Sequence, residues 1–230
     1  MEPTNWLKVC AAVIPCFNEE DTVRDIIDRA TPYVSTVLVV DDGSTDLTQL
    51  RATEAAARVI RHSTKRGKGM ALRTGLEQAR AEGFVWALTL DGDGQHAPED
   101  IPKFFECADR TGVELVIGNR FTQSEQIPWV RRRVNRWMTA RLAKLTRVPL
   151  EDSQCGFRLI RLEPFAQLKL ETCHFETESE LLVKFLGAGF QLRSVPVQVI
   201  YGKGKSKIRP VSDTWRWMRW WLAQQPNARR

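Results

Sequence analysis

Apolar residues in the first half of this chain fall into short unbroken runs, and polar, glycine-rich segments separate them. Val9-Cys-Ala-Ala-Val-Ile14, Val37-Leu-Val-Val40, Phe84-Val-Trp-Ala-Leu-Thr-Leu90 and Leu115-Val-Ile-Gly118 do not alternate with polar residues. Such runs read as strands buried on both faces. Val59-Ile60 reads as a further short strand. The intervening segments carry helix signals. Asn18 precedes three acids and predicts a capped helix over 19–30, stopped by Pro32. Met70 to Ala81 predicts a second helix closed by Gly83. Pro98 opens a third that runs to about Asp109. The order β-α-β-α-β-α-β-α-β predicts an α/β fold, a mostly parallel sheet with helices on both faces.

The second half is patterned differently. Residues 131–147 hold seven basic residues and no acid. Val134, Trp137, Met138, Leu142 and Leu145 fall on one stripe at helical spacing, with Arg132, Arg133, Arg136, Lys144 and Arg147 largely opposite. A helix packed on the domain and a helix lying on an anionic membrane both fit this pattern. Phe175 opens a further helix that ends near Gly187–Gly189. Residues 190–201 alternate partly and predict a strand broken by Pro196, followed by a basic loop at 202–207. The tail places Trp215, Trp217, Trp220 and Trp221 among Arg216 and Arg219. A membrane interface and a terminal helix docked on the core are both open readings.

Composition narrows the class. The chain has 230 residues, 43% hydrophobic and 27% charged, enough for one ordinary core. No stretch reaches the ~18 apolar residues of a bilayer span, and the N-terminus lacks a signal-peptide pattern. Five cysteines without a CxxC pair read as reduced packing residues of a cytoplasmic protein. The formal charge of +6 favours an anionic partner: nucleotide, phosphate or membrane surface.

Candidate chemistry clusters at the predicted strand ends. Asp91-Gly92-Asp93-Gly94-Gln95-His96 puts two carboxylates on alternate positions of a glycine-rich turn, able to share Mg²⁺ or Mn²⁺, with Gln95 adding a neutral oxygen. Asp-Gly pairs also mark plain turns. An EF-hand is excluded, because its sixth and twelfth positions fall on His96 and Pro102. Asp41-Asp42-Gly43-Ser44 follows the second strand as a turn or as a polar pocket for a base or ribose. His62-Ser-Thr-Lys-Arg-Gly-Lys-Gly69 is a basic loop before a helix and suits phosphate, but it lacks the P-loop spacing.

Seven segments then occur in order. They are Val-Ile-Pro-Cys-Phe-Asn-Glu-Glu (13–20), Val-Val-Asp-Asp-Gly-Ser-Thr-Asp (39–46) and Gly-Lys-Gly-Met-Ala-Leu-Arg (67–73). Asp-Gly-Asp-Gly-Gln-His (91–96), Gly-Asn-Arg-Phe (118–121), Asp-Ser-Gln-Cys-Gly-Phe-Arg (152–158) and Lys-Ser-Lys (205–207) complete the series. From about Val9 to Arg209 the chain resembles family 2 glycosyltransferases of the dolichol- and polyprenyl-phosphate mannose or glucose synthase branch. The resemblance implies a GT-A, Rossmann-like domain over 1–209, with 210–230 as a small Trp/Arg-rich amphipathic helical extension.

It implies inverting, metal-dependent transfer of mannose or glucose from a GDP- or UDP-sugar to a polyprenyl or dolichyl phosphate. Pro15, Phe17, Glu19, Val40 and Asp42 would line base and ribose. Asp91, Gly92 and Asp93 would meet the donor diphosphate, with Asp91, Asp93 and Gln95 on the metal. Arg120, Lys207 and Lys68 would contact phosphates. Were the acceptor a sugar hydroxyl instead, Asp152 or Glu178 would be its base. Two departures concern the acceptor. Glu151 stands where relatives can carry an arginine, and Cys155 stands at a serine position. Cys155 and Arg158 are the acceptor-phosphate candidates that this segment offers, with the arginines at 131–133 as substitutes.

The expected location is cytoplasmic, peripheral on the inner face of the cell membrane. A nucleotidyltransferase would open on a basic glycine-rich signature, the opposite in charge of Pro15–Glu20. A nucleic-acid-binding module would explain the charge and the tryptophans and leave the Asp clusters without a role.

Overall fold

The computed structural model describes residues 4–122, 128–200 and 210–224. A short helix, α1 (Trp6–Val9), leads into β1 (Cys10–Cys16); α2 (Val23–Ala30), β2 (Thr36–Asp41), α3 (Thr48–Glu54) and β3 (Arg58–Arg61) follow. Then come α4 (Lys68–Ala81), β4 (Trp86–Thr89), a 3₁₀ turn at Pro98–Asp100, α5 (Ile101–Thr111), β5 (Leu115–Asn119) and α6 (Trp129–Thr146). The remainder holds β6 (Arg158–Arg161), α7 (Leu162–Ala166), α8 (Glu176–Gly187), β7 (Leu192–Pro196) and α9 (Pro210–Ala223).

The apolar runs stack into a seven-stranded sheet of order β3-β2-β1-β4-β6-β5-β7. β1 is parallel to both β2 and β4, and β5 is parallel to β7. Only β6 runs antiparallel, between β4 and β5. Nothing in the sequence pattern marked β6, because Arg-Leu-Ile-Arg is a pair of apolar residues between charges. It is a strand because Leu159 and Ile160 complete the buried layer while its backbone bonds to both neighbours.

Two local expectations change. Asn18 is not a helix cap. It takes a left-handed φ of 54°, its Oδ1 accepts from the Thr45 amide at 2.9 Å, and α2 begins only at Val23. Residues 190–200 hold one short strand ending at Pro196, where the ladder loses an N–H donor, and an isolated antiparallel bridge from Val199 to His96.

The tail helix α9 is apolar on two faces. Trp217 is 2% exposed within the core; its Nε1 donates to Ser179 Oγ of α8 at 2.9 Å, and Trp137 of α6 meets it edge-on at 5.6 Å. Trp215, Met218 and Leu222 lie on the opposite face and are exposed, Trp215 by 60%. Their i, i+3, i+7 spacing is a helical stripe. The docked reading of the tail therefore describes the Trp217 face, and the opposite face of the helix is exposed.

Candidate active site at the carboxyl edge of the sheet

From β1 the chain builds outward through β2 to β3, then returns to place β4 on the other side of β1. The strand order thus reverses between β1 and β4. In open α/β sheets the crevice at the carboxyl ends of such a pair is where ligands bind. Pro15–Cys16 and the Asp91 loop flank that crevice. The two are in close contact: a Cβ on Gly92 would stand 2.7 Å from Cys16 Sγ and 3.2 Å from Pro15 O. Thr22 Oγ1 fastens the loop by donating to Gly92 O at 2.6 Å. The 152–156 loop covers it from the other side, where a Cβ on Gly156 would reach within 2.6 Å of Asp91 Oδ1. Glycine at both positions is what permits this approach.

Asp91 meets a lysine and a histidine. Lys68, the first residue of α4, places Nζ 2.6 Å from Asp91 Oδ1 and 3.0 Å from Glu178 Oε1 of α8. His96 Nε2 lies 3.4 Å from Asp91 Oδ2. Burial opposes ionisation of Asp91, but Lys68 and His96 outweigh it and hold the carboxyl well below the usual range. Asp93 behaves oppositely: burial, then the charge on Asp91, push its carboxyl upward. For Lys68 burial disfavours the ammonium, and Asp91 and Glu178 together raise it above the ordinary lysine value.

Two mutually repelling carboxylates with Gln95 beside them suit a hard divalent cation. Among the described residues no group of three His, Cys, Asp or Glu side chains converges to form a closed metal cage. A two-carboxylate site completed by substrate phosphates and water is the habit of Mg²⁺ and Mn²⁺. The donor set fits that kind of ion.

Arg120 and Asp152 form a buried, bidentate pair. Nε and Nη2 donate to the two carboxylate oxygens at 2.7 and 2.9 Å. The Arg120 and Gln154 amides add bonds at 3.2 Å. Burial works against the guanidinium, and Asp152 outweighs it, keeping Arg120 charged. Asp152, expected as a base for a hydroxyl acceptor, is instead engaged on both oxygens and orients Arg120. Alongside, Asn119 Nδ2 donates to Glu151 Oε2 at 2.6 Å. Asn119, Phe121, Arg136, Leu150 and Glu151 line a cavity of about 350 Å³, and the Arg136 guanidinium stands 5.3 Å from the Phe121 ring centroid.

The acceptor-phosphate expectations for Arg158 and Cys155 are corrected. Arg158 is 1% exposed, and its donors go to the carbonyls of Cys155, Glu178 and Ser153 at 2.8, 2.8 and 2.9 Å. It is a clamp between the 152–158 loop and α8. Cys155 is fully buried, and burial pushes its thiol up to about 12; it offers no positive charge to an anion.

The residues expected on the nucleotide side fall in different surroundings. Lys65 Nζ covers the Phe17 ring at 3.5 Å, and Glu19 lies against Gly92. The Val40 side chain points beneath α4, toward Gly75, so only its backbone belongs to the crevice. Asp42 is 2% exposed and already holds three partners: His62 Nδ1 at 2.8 Å, the Arg66 amide at 2.8 Å and the Gly67 amide at 2.7 Å. In this conformation it fastens the basic loop instead of offering a free acceptor to base or ribose. Lys207 lies outside the described residues. His62 opens the basic loop singled out in the sequence, but nothing there marked it as the partner of Asp42; its Nε2 also meets Thr74 Oγ1 at 3.1 Å. Glu178, expected as an alternative base for a hydroxyl acceptor, is instead paired with Lys68 on a buried face of α8, and buried Glu is rare unless paired.

α6 and α9 also carry exposed aromatic residues. Trp129, Val130 and Trp137 of α6 and the outer stripe of α9 are exposed. The Arg141 guanidinium lies 5.4 Å from the rings of both Trp137 and Trp221. No helix among the described residues is long and apolar enough to cross a membrane.

The sequence model of "Glycosyl transferase family 2" matches residues 11–169. A polyprenol monophosphomannose synthase from Mycolicibacterium smegmatis is 28% identical over 200 residues, covering 80% of this chain and 75% of the relative. A UDP-N-acetylglucosamine–dolichyl-phosphate N-acetylglucosaminyltransferase from Methanococcus voltae is 27% identical over 217 residues, covering 84% and 86%. Among solved structures, glucosyl-3-phosphoglycerate synthase from Mycobacterium tuberculosis, in complex with Mn²⁺, UDP and glucosyl-3-phosphoglycerate, superposes with a TM-score of 0.69. It is 25% identical, with 94% of this chain and 78% of that one covered.

Proposed function

This chain is a family 2 glycosyltransferase, a nucleotide-sugar-dependent enzyme of GT-A fold, and we propose that it transfers a hexose, mannose or glucose, with inversion from a GDP- or UDP-sugar to a polyprenyl phosphate. The observation that carries the reading is the meeting of Asp91 and Asp93 with Lys68 and the Arg120–Asp152 pair around the β1–β4 crevice. Breaking a sugar–phosphate bond leaves new negative charge on a nucleoside diphosphate. Asp91, Asp93 and Gln95 would hold a divalent cation, which would supply Lewis-acid stabilisation of that charge. Arg120, held by Asp152, supplies fixed positive charge beside it, and Lys68, tethered by Glu178, supplies a second cation at the edge of the site.

A phosphate acceptor is already anionic and needs no strong base, which suits a site whose Asp152 is locked to Arg120. Inversion suits it as well: a double displacement needs a free nucleophile, and Asp91 and Asp152 both carry cations. One relative is named for making polyprenol monophosphomannose and another for a dolichyl-phosphate acceptor. The exposed Trp129, Trp137 and Trp215 beside Arg133, Arg141 and Arg219 suit peripheral attachment to an anionic inner leaflet.

A second reading, transfer to a sugar hydroxyl, is favoured by one feature. Glu151 puts a carboxylate into the cavity where relatives of the lipid-phosphate branch can carry an arginine, and a carboxylate accepts from a hydroxyl. A screen of radiolabelled GDP- and UDP-hexoses against polyprenyl phosphate and against soluble sugars separates the two. Label entering the organic phase only with the lipid supports the first, and NMR of the product's anomeric proton reads the stereochemistry. Label entering soluble sugars alone would replace the first reading by the second.

A further inference from the structure

We propose that Lys68 is a resident counter-ion which occupies Asp91 until donor and metal arrive together, and that Glu178 is the positioning residue which receives it. The inference rests on the donor-site reading above. Lys68 Nζ contacts Asp91 Oδ1 at 2.6 Å, on the carboxylate that faces the crevice, and Glu178 Oε1 at 3.0 Å. An ammonium and a divalent cation compete for the same oxygen.

The two carboxylates are not equivalent partners. The backbone that carries Lys68 is fastened to the segment that leads into α8. The Met70 amide donates to Cys173 O at 3.1 Å, a Cβ on Gly69 would collide with Thr177 Oγ1 at 1.9 Å, and one on Gly67 would meet His174 Nδ1 at 2.2 Å. Glu178 follows directly on α8. Lys68 and Glu178 therefore move as one unit, and Asp91, on the loop after β4, is the exchangeable partner. Only the flexible lysine side chain has to swing. Its natural destination is the donor diphosphate, with Glu178 holding the ammonium at the edge of the site. Metal without nucleotide must displace Lys68 unaided. Metal with nucleoside diphosphate finds Lys68 drawn away, and by linkage each ligand tightens the other.

The test titrates free Mn²⁺ by electron paramagnetic resonance, with and without UDP or GDP, and nucleotide by calorimetry in saturating Mn²⁺. Lys68→Met is expected to bind Mn²⁺ alone roughly tenfold more tightly and nucleotide roughly tenfold more weakly, within the usual span of couplings. Lys68→Arg, which keeps a cation on Asp91, should retain the native pattern, and circular dichroism reports the fold of each variant. Glu178→Gln should weaken Mn²⁺ alone, and the double variant with Lys68→Met should regain the affinity of Lys68→Met. Additive effects of the two substitutions would mean simple through-space charge and would overturn the role given to Glu178. Unchanged or weaker Mn²⁺ binding by Lys68→Met would overturn the counter-ion role. A native chain that bound Mn²⁺ but neither nucleotide would instead remove the donor-site reading, and the inference with it.

Discussion

Asp152→Asn distinguishes a positioning carboxylate from a base. In the native fold Asp152 accepts two charge-assisted bonds from the Arg120 side chain and two from amides. Arg120 is 9% exposed, so neutralising its partner leaves a guanidinium short of solvent and of charge. Breaking a buried pair in this way costs about 3–5 kcal/mol. Asparagine keeps one carbonyl acceptor, which puts the expected loss near ~3 kcal/mol. In a domain of this size that corresponds to a fall in Tm of roughly 6–12 °C. Urea unfolding followed by tryptophan fluorescence measures it directly. The double variant Arg120→Met, Asp152→Asn removes both charges, keeps a carbonyl acceptor for the backbone amides and should recover part of the stability, because no unpaired charge is left buried. It should not recover transfer, since the oriented cation is gone. Residual activity of Asp152→Asn should keep the native pH dependence. Native stability in Asp152→Asn, combined with collapse of one limb of the pH profile, would refute the positioning role and restore the base.

Asp93→Asn should cut transfer by more than about a hundredfold while leaving the Tm equal or slightly higher, because burial and Asp91 already disfavour the charge on Asp93. Chelation should silence the native enzyme, and full activity after metal removal would contradict the assignment. Trp217→Ala should destabilise by about 3–5 kcal/mol. Trp215→Ala should leave the Tm unchanged and reduce co-sedimentation with anionic vesicles, so equal vesicle binding by native chain and Trp215→Ala would argue against that face.

Glu180 accepts from Thr172 Oγ1 at 2.6 Å and pairs with Lys184 at 2.7 Å. Burial opposes its charge, but Lys184 and Thr172 outweigh it and lower its pKa. Its stabilisation is therefore present above the unfolded carboxyl value of about 4.3 and is lost as pH falls through the lower folded value. Glu180→Gln should cost roughly 1.5–3 kcal/mol at pH 7, with the difference shrinking between about pH 5 and pH 3. A difference that did not change with pH would exclude this linkage.

The apolar runs at 9–14, 37–40, 84–90 and 115–118 were sufficient to place four strands of a mostly parallel sheet. A strand buried on both faces needs continuous hydrophobicity, and that is a local property of the chain. For the same reason the acidic and glycine-rich strand ends were legible, since a turn that brings two carboxylates together has to carry them in its own sequence. β6 was invisible because its four residues become a strand only through the neighbours that supply its hydrogen bonds. The fates of the charged side chains were equally nonlocal. Arg158 looked like an anion ligand until three carbonyls from the 152–158 loop and α8 closed around it. Asp152 looked like a base until Arg120 arrived from the end of β5. Trp215 and Trp217 are two residues apart and chemically identical, yet one is exposed and the other is core, because α8 packs on only one side of α9. The contact between Lys68 and Glu178 spans 110 positions of chain. Hydrophobic period is written into each segment, whereas the partner of a charge depends on which segments the fold brings together.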